Sequence, residues 1–525
     1  MRVDLSITRA RDRLGSRRSE RATQGDCGLD DLGDSSSIPS VEGPLRRRTA
    51  RAGLVSVSTQ LVSAVLSVAG IAVLSRWLSP DDFGVFALAY VVVGWISTFT
   101  ESGFSYATVQ SQEISHAQAS NLFWANLLLG CIACVTLFVL SPGVAWMYGR
   151  PELVPVMAML GIAVLVSCLG LQQMAQFQRR LDFGRIALVT IGSKLISLGT
   201  AIAVARNGGG FWALAAQEGT SSLSRVALTW VLSEWRPSAP RSGAGTLVLM
   251  RLGALKSMAE FIGVLRRSTD VFLLGLFCGT QCVGLYSRSA ALISTPVFQA
   301  IGPISRVAVP ALSRVQSDPV RFRSAVRNGV ELLGFASLPI CVFVSVAAEP
   351  FVGLLLGDQW SDTVALVRVL TARTLVSIVL FPAMSWGFAA LGKVGNQLKW
   401  SLLALALTTS SVGVGACFGP LATACVATGA TFVSLLLGFR MAFKSVDLGL
   451  LDVAVVLRPS LLASAFAGAG SLAVLAMTAG MSSAWQLLLA SLAFGLVYSG
   501  SLSLDPSGRR LLLGVLRVVR AGAHR

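Results

Sequence analysis

Histidine is almost missing from this chain: His116 and His524 are the only two. No HExxH, GxSxG or GxxxxGK[ST] pattern occurs, so zinc-peptidase, serine-hydrolase and P-loop chemistry have no sequence to act through. Charge is scarce too, at 13% of residues, against about 25% in an ordinary soluble domain. The first fifty residues lack the continuous apolar core and small-residue cleavage site of a signal peptide. Nine cysteines are scattered, most of them inside apolar runs, and Cys131-x-x-Cys134 has no second pair or histidine beside it. That pattern reads as small buried side chains, with no metal and no cofactor.

What is present is apolar surface. Hydrophobic residues make up 54% of the chain, and the mean hydropathy is +0.69. These values imply an all-α polytopic membrane protein. The net charge of +17 is then explained by basic residues gathering in cytoplasmic loops, with no need for a nucleic-acid partner.

Residues 1–50 are polar and mixed in charge, and are expected to be a disordered, basic cytoplasmic extension. After them come fourteen runs near the roughly 20 residues that a bilayer requires: 53–77, 83–105, 121–141, 153–177, 184–205, 210–232, 248–278, 283–311, 328–356, 362–391, 397–418, 421–443, 457–479 and 484–504. An even count puts both termini on one side. Loop charges agree: one set of loops holds Arg179, Arg180, Arg185, Arg236, Arg241, Arg314, Arg321, Arg323, Arg327, Lys393, Lys444 and Arg458. The other set holds little beyond Arg76, Arg150 and Arg206. Both termini are therefore expected in the cytoplasm. External loops of no more than about a dozen residues leave no room for a catalytic domain.

The chain also repeats itself. LSRWLSPDDFGVFALA at 74–89 aligns without gaps on LGLFCGTQCVGLYSRS at 274–289, matching Leu74 with Leu274, Gly84 with Gly284 and Phe86 with Tyr286. MYGRPELVPVMAM at 147–159 lies over LLGDQWSDTVALV at 355–367, pairing Gly149 with Gly357. The common order implies duplication of a six-helix unit. Six helices return the chain to its starting side, so the copies are expected to be related by a pseudo-two-fold along the membrane normal. The expected domains are an N-lobe at 51–240, a C-lobe at 241–445, two further helices at 446–505 and a basic tail at 506–525.

Charges inside the spans point to a site, because a charged side chain at the bilayer centre costs about 2.5–3.5 kcal/mol and rarely faces lipid. In LKSMAEFIGVLRRSTDVFLLGL (255–276), Lys256, Glu260, Arg266, Arg267 and Asp270 fall on one third of a helical circumference. Lys256 with Glu260, and Arg266 with Asp270, are spaced for intrahelical pairing. Glu101, Lys194, Glu218, Arg225, Arg288, Arg306, Arg368 and Arg373 add to the set from other spans. Basic groups outnumber acids, and the arginine fork suits phosphate oxygens. The expected ligand is a phosphorylated or acidic molecule held in a hydrated cavity.

The segments LSRWLSPDDFGVFALA, ESGFSYATVQ, NLFWANLLLG, AWMYGRPEL, QFQRRLDF, FWALAAQE, STDVFLLG, GLYSRS and VAVPALSRVQSDPVRFR resemble, in order, the Wzx-type polysaccharide branch of the multidrug/oligosaccharidyl-lipid/polysaccharide flippases. The resemblance runs from about residue 53 to 443. It implies two six-helix lobes in a V and alternating access in a bacterial plasma membrane. The cargo it implies is an undecaprenyl-diphosphate-linked oligosaccharide repeat, moved with ion coupling. Carried onto this sequence, the substrate-binding cations fall on Lys194, Arg225, Lys256, Arg266, Arg267 and Arg288, and the ion-coupling acids on Glu101, Glu218, Glu260 and Asp270. A polysaccharide polymerase of the same pathway is an expected partner, with membrane lipid around the protein. The rivals are a lipid II flippase, a MATE-type drug antiporter and a membrane polysaccharide polymerase.

Overall fold

The computed structural model describes residues 43–509 apart from 102, 112, 244 and 507. The expectations for the extension before residue 43 and for the tail beyond 509 lie outside those residues. Apart from the first turns of α1, everything below belongs to one compact unit, residues 51–525.

The described residues form helices and loops without a strand. In chain order the helices are α1 (Gly43–Leu74), α2 (Pro80–Glu101), α3 (Phe104–Gln110), α4 (His116–Tyr148), α5 (Leu153–Cys168), α6 (Leu171–Arg179), α7 (Phe183–Arg206) and α8 (Trp212–Leu232). They continue with α9 (Thr246–Arg314), α10 (Pro319–Val346), α11 (Ala348–Leu355), α12 (Thr363–Ala390), α13 (Val394–Ala416), α14 (Pro420–Phe443), α15 (Leu450–Met477) and α16 (Ser483–Leu504). Nine described helices are long and apolar enough to cross a membrane, or ten when α5 and α6, bent by 43° at their junction, count as one span. α1, apolar over the shorter stretch Ser58–Leu74, and α8 and the two arms of α9, which carry charged residues, stand at the remaining four expected spans.

Local chemistry sets several ends. Ser115 and Gln118 form a reciprocal capping box at the start of α4, and Gly149 closes that helix in the left-handed conformation. Asp318 caps α10 with Pro319 at its first turn. α10 therefore begins nine residues before the expected span and projects Arg321, Arg323 and Arg327 beyond it. Arg323 reaches Asp452 at the start of α15, 2.7 Å away, which ties the two C-terminal helices to the C-lobe.

The loop expected at 279–282 shrinks to a single residue. Gly279, at φ 79° and ψ 179°, is the one non-helical position inside α9, and an L side chain there would be strained. Sixteen residues of continuous helix would hold Asp270 and Tyr286 about 24 Å apart. Instead, the Tyr286 hydroxyl donates to the Asp270 carboxylate at 2.6 Å. Gly279 is an elbow at which the chain reverses.

The turns at 75–79, 149–152, 207–211 and 417–419, together with Gly279 and the 356–362 segment, share one end of the bundle, here called distal. There the two lobes meet. A Cβ on Gly84 would lie 1.8 Å from the Thr280 carbonyl oxygen, and one on Gly284 would lie 1.8 Å from that of Pro80. The matched glycines of the duplicated segments thus each pack on the partner segment's residue four positions earlier. Such reciprocity is the signature of a two-fold axis between them. One apolar core runs through this contact, combining Phe83, Leu88 and Leu153 from the first half with Leu274, Tyr286, Val352 and Trp360 from the second. A second core lies within the C-lobe around Phe322, Trp386, Trp400 and Phe439.

Candidate functional site

The lobes are sealed along α2 and the first arm of α9, which run antiparallel. Trp95 donates to the Ser268 hydroxyl at 2.6 Å, Phe99 packs on Phe261, and Gly103 meets Gly253 so closely that a Cβ on either would clash with the other's backbone. Polar clasps close the distal end. Arg150 donates to Asp81 at 2.9 Å and to the Thr280 hydroxyl at 2.6 Å, and Thr280 also donates to Asp81. On the opposite side Gln359 and Trp360 donate to the Ser75 carbonyl at 2.6 and 3.0 Å. Each clasp follows one of the matched glycines, Gly149 or Gly357, both at positive φ. Each lobe therefore grips the hairpin of the other.

With the distal end shut, a polar-lined space remains in the N-lobe. A cavity of about 440 Å³ is lined by Glu101 at the end of α2, Ser167, Gln178, Thr190, Ser193 and Lys194 of α5–α7, and Ser221, Arg225 and Thr229 of α8. The 43° bend makes room for it: at Gly170 a Cβ would already stand 3.3 Å from Val226. A second space of about 430 Å³, lined by Ser56, Thr59, Gln60 and Ser63 of α1 and sharing Gln178, Ile186 and Thr190, adjoins it. Arg225 donates to the Ser221 hydroxyl at 3.3 Å, and Glu101, Glu218 and Tyr90 lie within electrostatic reach of it. Lys194 donates to the Ser63 carbonyl at 2.9 Å, to the Ser63 hydroxyl at 2.7 Å and to the Ser67 hydroxyl at 2.6 Å.

The remaining expected site residues are distributed elsewhere. Lys256 and Glu260 form the intrahelical ion pair that their spacing suggests, half-exposed. Arg267 is exposed and lies along Gly263. Asp270 does not pair with Arg266: its buried carboxylate receives the Arg373 guanidinium of α12 and the Tyr286 hydroxyl, while Arg373 also reaches Thr431 of α14. Arg266 instead lies over the rings of Phe381 and Trp400, at 5.1 and 5.8 Å. Arg288 stacks on Phe83 across the lobe seam, 4.2 Å from the ring centroid. The Arg306 side chain is outside the described residues. Of the ten site residues expected from sequence, Glu101, Lys194 and Arg225 line one cavity. Ser63, Ser67 and the Asp81–Arg150–Thr280 clasp were not singled out by sequence, although Ser63 and Ser67 sit one helical turn apart in an apolar run; Arg373 was counted among the span charges, but its pairing with Asp270 was not.

This arrangement, two lobes joined along a sealed seam with a polar cavity inside one of them, has relatives. Residues 73–365 match a family described as polysaccharide biosynthesis protein. The chain belongs to that family. Proteins similar to it include the lipopolysaccharide biosynthesis protein WzxC of Escherichia coli K12, 24% identical over 71% of this chain and 76% of the relative. The teichuronic acid biosynthesis protein TuaB of Bacillus subtilis 168 is 23% identical over 62% and 68%, and the succinoglycan biosynthesis transport protein ExoT of Rhizobium meliloti 1021 is 24% identical over 69% and 74%. In fold, the lipid II flippase MurJ in an inward closed conformation superposes with a TM-score of 0.67 at 13% identity, over 86% of this chain and 98% of that one. An inward-facing MATE transporter of the MOP superfamily superposes with a TM-score of 0.57 at 13% identity, over 74% and 94%. The polysaccharide biosynthesis family member is thus a multi-pass, Wzx-type flippase homologue with the two-lobe fold that its duplicated sequence implies.

Proposed function

We propose that the protein moves a polyprenyl-diphosphate-linked oligosaccharide repeat unit between the leaflets of a bacterial plasma membrane, for assembly of a surface or exported polysaccharide. One observation carries the reading: a clasped distal end between the two lobes together with a polar, cation-bearing cavity inside one of them. If the basic loops mark the cytoplasm, the distal end faces outward and the structure is the outward-closed state of an alternating-access cycle. The diphosphate is held by guanidinium and ammonium groups, the sugars occupy hydroxyl- and amide-lined space, and the polyprenyl tail stays in lipid. Tilting breaks the Asp81–Arg150–Thr280 and Ser75–Trp360 clasps and exposes the cavity outward. The acids Glu101 and Glu218 beside Arg225 are the candidates for ion coupling in the N-lobe. Asp270, tied to Arg373, braces the C-lobe. Names of relatives that refer to lipopolysaccharide, teichuronic acid and succinoglycan support a lipid-linked glycan as cargo, with the pathway's polymerase as the partner that receives it.

Arg225→Glu should abolish surface polymer in a strain that depends on this gene, with the protein still present in the membrane at wild-type level; normal polymer in that strain would reject the anion-site role. The fold shared with MurJ keeps lipid II as the second cargo. Growth rescue of a lipid II flippase-depleted strain, with no effect on polysaccharide, would transfer the assignment to it.

A further inference from the structure

We propose that Lys194 is a substrate-operated latch on α1, so that arrival of the diphosphate in the N-lobe cavity releases that helix. This rests on the cargo proposed above and concerns how the cargo acts once bound.

Among the described spans α1 makes the fewest close approaches to its neighbours. Its middle is well exposed on one side, with Leu61 and Val65 more than three-fifths accessible. Its distal end is pinned: Gly70 packs against Leu198 of α7, and Ser75 just beyond the helix is held by Gln359 and Trp360. One and two turns earlier, what joins α1 to α7 is the Lys194 ammonium, with three donors for the three acceptors that Ser63 and Ser67 present at 2.6 to 2.9 Å. This is a pivot with a latch.

The latch faces the cavity, since Lys194 is part of its wall and Ser63 part of the adjoining space. The two cations in that wall differ in a way that matters. Arg225 already has Glu101 and Glu218 within reach, whereas the described partners of Lys194 are neutral oxygens. An anionic phosphate oxygen adds a charge–charge attraction to the ammonium that the neutral Ser63 and Ser67 oxygens lack. A phosphate oxygen entering the cavity therefore gains more at Lys194 than Ser63 and Ser67 can return. The ammonium moves to the anion, and α1 loses its mid-span tie while its distal end stays fixed. Arg225, in the same lining, supplies a second donor to the diphosphate. A free diphosphate and a lipid-borne one present the same group to Lys194, so the probe must separate them.

The test is backbone hydrogen exchange over residues 58–70 of the full-length protein in nanodiscs, with farnesyl diphosphate, farnesol or inorganic pyrophosphate as probes. Farnesyl diphosphate should speed exchange there by about tenfold or more, and farnesol should not. Acceleration by pyrophosphate as well would assign the effect to the phosphates alone; its absence would assign it to phosphate and tail together, and both support the latch. Ser63→Ala/Ser67→Ala, which leaves Lys194 only the Ser63 carbonyl, should exchange faster than the wild-type protein without any probe while still binding farnesyl diphosphate. Lys194→Gln should exchange fast throughout and bind it about tenfold more weakly. Bound farnesyl diphosphate with slow exchange in the wild-type protein, or slow exchange in the double serine variant, would overturn the latch and leave the cargo assignment standing. Failure of the wild-type protein to bind farnesyl diphosphate at all would overturn both.

Discussion

A guanidinium in a membrane helix has three ways to be tolerated, and this protein uses each. Arg373 is paired with the buried Asp270 carboxylate, Arg266 and Arg288 rest on aromatic faces, and Arg225 lines a polar cavity. The first is the most costly to disturb, because removing one partner of a buried pair strands the other. Arg373→Leu should lower stability by about 3–5 kcal/mol, read as thermal unfolding in detergent, and adding Asp270→Asn should restore much of the loss. Were the single variant as stable as the wild-type protein, the pair would not be a brace. The sequence made Lys256–Glu260 legible, since both partners lie on one helix four residues apart. It misled on Asp270 for the same reason: Arg266 is its neighbour in sequence, while Arg373 comes from a helix a hundred residues away. No local spacing encodes that meeting.

At the scale of single elements, apolar runs located the spans well, and their deviations have local causes. Gly279 reverses the chain in one residue where a four-residue loop was expected, because a left-handed glycine turns more tightly than any run of L residues. The bend between α5 and α6 and the early start of α10 at an Asp-Pro cap are likewise events of backbone chemistry that a hydropathy window averages away. The glycine match at Gly84 and Gly284 was visible as a repeat, but its meaning, contact between the repeats, was not. Gly84→Ala should cost about 1–3 kcal/mol by forcing the hairpins apart, whereas Gly94→Ala in the same helix meets nothing within 4 Å. Comparing the melting temperatures of the two variants tests the contact, and equal stability would refute it.

For the whole molecule, the fold was legible because duplication leaves a trace in sequence, and the site was only partly so. Charges could be counted along the chain, but which of them share one cavity depends on how the helices of the N-lobe pack and on which rings lie beside which arginines. The distal clasps depend on the contact between the lobes. Arg150→Ala removes a donor shared by Asp81 and Thr280, so it should raise the population of the distally open state. Mass-spectrometric mapping should show faster labelling of Cys282, two residues past Thr280, by a membrane-impermeant maleimide. Unchanged labelling would mean that the clasp does not limit opening.

The reciprocal seat of Gly84 and Gly284 has one more consequence. Docking instructions are written once in each half and read by the other, so the covalent link between halves is not what tells them where to sit. That link, residues 233–245, is itself strapped to the first half, where Asn121 exchanges two hydrogen bonds with the Arg241 backbone and Trp124 donates to Ser238. Severed after the strap, two separately encoded polypeptides should still find each other in the bilayer.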